Sequence, residues 1–148
     1  MTGLRIVSTL STFAIGLAAS FLAYQQFRVS RAKLKFDLYE KRLRLFNVVR
    51  DFASNVALKA EVDSGQFYRD TIERYFLFDK DVCAYIDEMY ENAKRLERIR
   101  LDLTQPNLND EARKELTGQL VETKTWFFNQ SDNMLKIFSR DLSIKTLR

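Results

Sequence analysis

A chain of 148 residues with 46% hydrophobic and 30% charged side chains has the makeup of a folded protein, and its net charge of +4 is the balance of 24 basic and 20 acidic residues. Four Gly and one Pro are too few turn formers for a chain of many short strands, which excludes sandwiches and barrels and leaves an all-α expectation. With no His and a single Cys, Cys83, the sequence also excludes Ser-His-Asp and Cys-His nucleophilic sites, zinc sites of Cys and His, and internal disulfides.

The first predicted element starts near the N-terminus. Ile6 to Phe27 carry no formal charge, and the apolar part, Ile6 to Tyr24, makes a helix of roughly 28 Å, close to the hydrocarbon thickness of a bilayer. The expectation is a transmembrane anchor over residues 1–27. A cleavable signal peptide fits less well, because the apolar run passes the small residues Ala18 and Ser20 and Arg28, Arg31, Lys33 and Lys35 follow at once. Inside the span, Ser8, Thr12, Gly16 and Ser20 recur every four residues, a face on which two helices can approach closely, so transmembrane self-association is expected there.

Residues 28–50 hold eight basic side chains against Asp37 and Glu40, a net +6, while residues 51–148 carry −3. The positive-inside rule then puts residues 28–148 in the cytoplasm as one domain, with a very short N-terminus outside. Arg28, Arg31, Lys33 and Lys35 are the candidate membrane-surface residues, facing anionic headgroups at about 1 kcal/mol each. Asp37 and Glu40 can pair with Lys41 and Arg44 at spacing four. Nucleic acid is a disfavoured partner, since no RNA-binding aromatic signature or zinc finger accompanies the charge.

Helical periodicity continues through the rest of the chain. A helix over 28–62 presents Phe36, Tyr39, Leu43, Phe46 and Ala53 with Leu45, Val49, Phe52 and Val56 until Asp63-Ser64-Gly65 interrupts it. A second over 66–78 presents Phe67, Ile72, Tyr75 and Phe76. A third over 80–104, capped by Asp79 or Asp81, carries Val82, Ile86, Met89, Ala93, Leu96 and Leu103 and stops before Pro106. A fourth over 110–140 opens on Asn109 as cap with Asp110 and Glu111 in its first turn, and runs through Leu116, Leu120, Phe127, Leu135 and Phe138. Short connections make this a three- to four-helix antiparallel bundle continuing from the transmembrane helix.

Candidate chemistry is sparse. The pairs Asp87-Glu88 and Asp110-Glu111 diverge on a helix, and Glu88, Glu91 and Glu97 lack the His of a di-metal bundle site. Cys83 sits on the apolar side of its helix, where burial outweighs reactivity. Trp126 and Phe127 are about 100° apart on a helix and cannot both face a core, which leaves one of them for a partner. No catalytic residue, cofactor or metal is expected.

Gln25-Gln26-Phe27-Arg28, then Lys33-Leu34-Lys35-Phe36-Asp37-Leu38-Tyr39-Glu40-Lys41-Arg42 and Leu45-Phe46, resembles the segment just after the anchor in a group of small, single-span bacterial inner-membrane proteins of unknown function. Arg74-Tyr75-Phe76-Leu77-Phe78 and Tyr85-Ile86 are similar to the same group. The resemblance implies a bacterial inner-membrane setting and assigns no residue a role. The expectation for function is a membrane-anchored helical interaction or scaffold module without catalytic activity of its own, its partners being anionic lipid and a second copy or another membrane protein. The alternatives are a small holin-like pore former and an enzyme with a carboxylate- or Lys-based site.

Overall fold

The computed structural model describes the backbone of residues 2–59 and 62–143, and within these the side chains from Gly16 onward. Among the described residues six α-helices follow in order: α1 (Thr2–Lys59), α2 (Ser64–Thr71), α3 (Arg74–Leu77), α4 (Lys80–Leu103), α5 (Asp110–Phe128) and α6 (Gln130–Phe138). There is no strand among the described residues. The chain divides into two compact units within α1, after Leu38.

The second unit is a helical bundle centred on α4, which packs against α2, α3, α5 and α6. Val82, Ile86, Met89, Ala93 and Leu96 alternate at spacings of four and three, which keeps them on one helix face; none is more than 1% exposed. The C-terminal part of α1 adds Leu45, Phe46, Val49, Ala53 and Val56. Its Phe52 ring stacks on Phe67 of α2, centroids 4.0 Å apart, and Phe46 meets Phe138 of α6 edge-on at 5.2 Å.

Helix ends explain where the elements start and stop. Asp63 caps α2 by accepting from the Gln66 N–H at 2.7 Å, and Asn109 caps α5 by accepting from the Ala112 N–H at 2.8 Å. The Glu97 carboxylate of α4 accepts from both the backbone N–H and the hydroxyl of Ser64, tying the start of α2 to the bundle. Arg42 donates from Nε to the Leu77 carbonyl at 2.7 Å and from Nη1 to the Asp141 carbonyl at 3.1 Å, satisfying chain ends that no helix ladder reaches.

Among the described residues no helix is long and apolar enough to cross a membrane. This corrects the expected transmembrane helix, and with it the single-pass inner-membrane placement. In the expected span over residues 6–24, the side chains of residues 6–15 lie outside the described ones and those of residues 16–24 within them.

Candidate functional site

Two features of the structure stand apart from ordinary packing. In the first unit, every residue from Gly16 to Asp37 is exposed. The large apolar side chains Leu17, Phe21, Leu22, Tyr24, Phe27, Val29, Leu34 and Phe36 are each 57–70% accessible, a concentration of exposed apolar residues of the kind that marks an interaction surface. Helical geometry puts Leu17, Phe21 and Tyr24 on the same face as Arg28, Arg31 and Lys35, because offsets of three, four and seven residues return to about the same angle. One face of the helix is thus apolar at one end and basic at the other. The Arg31 guanidinium lies over the Phe27 ring, 4.9 Å from its centroid. Lys33 sits about 140° around from Arg28, beside Leu22 and Val29.

Of the other expected association residues, Ser8 and Thr12 lie outside the described side chains. Ser20 donates its hydroxyl to the Gly16 carbonyl at 2.9 Å, a bond within its own helix, and a Cβ at Gly16 would meet nothing within 4 Å. Three of the four remaining basic residues of the collar make contacts in the second unit: Arg42 on carbonyls, Arg44 paired with Glu73 at 3.2 Å, and Arg50 with Asp51 at 2.9 Å. Arg44 therefore takes Glu73 of the α2–α3 turn in place of Glu40.

The second feature is a buried arginine. α2 ends at Thr71 and α3 begins at Arg74, so the Arg74 side chain turns inward, 1% exposed. Its Nη2 lies 2.5 Å and its Nε 3.2 Å from Asp87 Oδ1, and Nη1 donates to the Thr71 carbonyl at 3.0 Å and hydroxyl at 3.2 Å. Nη2 also donates to the Tyr75 hydroxyl at 2.8 Å, which in turn donates to Asp87 at 3.1 Å. The guanidinium lies between the Tyr75 and Tyr68 rings, 4.3 and 5.1 Å from their centroids. Every donor edge of the arginine has a partner, as a buried charge requires. The cluster pins α2, α3 and α4 together and leaves no donor for a ligand.

Titration follows the same geometry. Loss of solvent around its hydroxyl raises the Tyr75 phenol above its ordinary value, with Arg74 pulling down and the bond to Asp87 adding to the rise. Burial likewise raises the Cys83 thiol, again opposed by Arg74, so the thiolate needed for nucleophilic or redox chemistry is disfavoured. Among the described residues no group of three or more His, Cys, Asp or Glu is placed to hold a metal ion.

Sequence reasoning meets Asp87 only as half of a diverging acid pair and Arg74 only at the head of an aromatic run, and does not pair the two. The available signal is an arginine opening an aromatic run, 74–78, with an acid on the third helix to meet it. No family model matches the chain, and searches of the curated proteins and of the solved structures find no match.

Proposed function

We propose that the chain is a helical interaction module in which the bundle carries an exposed basic and apolar helix segment that docks on anionic lipid headgroups. The observation that carries this reading is the uninterrupted exposure of Gly16 to Asp37 with eight large apolar side chains. A single helix without tertiary packing is marginal in water. Apolar side chains beside Arg and Lys are the composition of helices that lie at a membrane interface. Arg28, Arg31, Lys33 and Lys35 precede the first acid of the segment, Asp37, so attraction to anionic headgroups is unopposed along that stretch. The Arg74 cluster ties α2, α3 and α4 together within the bundle, and all of its donors are used there.

The test is co-sedimentation of the full chain with vesicles of phosphatidylglycerol and phosphatidylcholine, or of phosphatidylcholine alone. The triple variant Arg28→Glu, Arg31→Glu, Lys33→Glu loses at least 3 kcal/mol at about 1 kcal/mol per basic residue. Binding to anionic vesicles is therefore expected to fall on the order of a hundredfold, and wild-type binding to weaken with salt. Equal binding to both vesicle types, unaffected by the triple variant, contradicts the reading.

A further inference from the structure

A groove of about 600 Å³ opens between the C-terminal part of α1 and the α5–α6 junction. It exists for two reasons. On α1, Ala53, Ser54 and Ala57 are too short to fill the space beside Phe127 and Met134, and at Asn129 the last two helices break, so that Phe128 and Leu135 turn outward. Leu58, Phe128 and Leu135 stand on the rim, 76%, 65% and 60% exposed. The two sides carry opposite charge, Arg50 from α1 and Asp132 from the first turn of α6. Asp132 makes no ion pair among the described residues, and Arg50 engages Asp51 through Nε and Nη2, leaving Nη1.

We infer that the occupant of this groove is a second copy of the same chain, related by a two-fold axis. Such an interface must complement itself, and this surface has both halves of each match. It offers holes over Ala53 and Ala57 together with knobs at Leu58 and Phe128, and a positive charge together with a negative one. A strongly acidic or strongly basic partner would satisfy one charge and repel the other. Two-fold pairing instead places Arg50 of each copy against the partner's Asp132, and puts the exposed apolar rim of each copy into the other's groove. The inference stands apart from lipid docking, which uses residues 16–37.

The experiment is sedimentation equilibrium of the full chain in a mild non-ionic detergent, which covers the exposed segment of α1. Wild type is expected to be a dimer. Arg50→Glu and Asp132→Arg, both at exposed positions, each create two like-charge contacts per dimer and are expected to weaken it at least tenfold, with unchanged circular dichroism. Mixing the two single variants restores both contacts in a heterodimer, so the mixture is expected to return to the wild-type dimer constant. A monomeric wild type, single variants that dimerise as wild type, or a mixture that does not recover overturns the inference. Vesicle binding by the same variants separates its failure from that of lipid docking.

Discussion

Asp87→Ala is expected to destabilise the bundle by about 3–5 kcal/mol, the range for breaking a buried ion pair by removing one partner. The cost falls on the arginine left behind. Arg74 is 1% exposed on its side chain whereas Asp87 is 44% exposed, so water can solvate an abandoned Asp87 but not an abandoned guanidinium. Arg74→Met, which keeps most of the volume and leaves the carboxylate to solvent, is therefore expected to cost less than Asp87→Ala. Urea unfolding followed by circular dichroism checks both. Equal losses, or a loss below 1 kcal/mol for Asp87→Ala, would show that Thr71, Tyr75 and the two flanking rings suffice to hold the charge.

Phe138→Ala is expected to cost a further 3–5 kcal/mol, the range for removing a buried aromatic side chain. Phe138 is fully buried at the end of α6 and meets three rings edge-on: Phe46 and Phe78 at 5.2 Å and Tyr85 at 6.3 Å. Those rings come from α1, the end of α3 and α4, so one side chain closes the bundle around its last helix. At roughly 4–8 °C per kcal/mol for a domain near 100 residues, the melting temperature falls by more than 10 °C. Leu135→Ala, three residues earlier and 60% exposed, is expected to change it little.

The contrast between Phe138 and Leu135 marks what could be read from the sequence. Helical class followed from the scarcity of Gly and Pro, the packed face of α4 from its alternating spacing, and the Asn109 cap from residue type alone. Extrapolating one register too far caused the misplacements. A break at Ile72 and Glu73 resets the phase, so Arg74 and Leu77 face inward and Phe76 is left 89% exposed. The break at Asn129 likewise buries Met134 in place of Leu135. Neither break carries Gly or Pro, so local propensity gave no warning. The transmembrane expectation rests on length and composition at the N-terminus, and among the described residues no helix is long and apolar enough to span. Arg42 was counted with the membrane collar because charge counts ignore direction; in the fold it turns to carbonyls of the bundle.

Lipid docking by residues 16–37 is tested most directly by amide hydrogen exchange of the full chain with and without anionic vesicles. A helix segment with no tertiary partner opens easily and exchanges fast, so binding at a lipid surface is expected to slow exchange across residues 16–37 at least tenfold while amides of α4 keep their rates. Unchanged exchange in 16–37 at saturating vesicles, or protection confined to the bundle, would contradict the account.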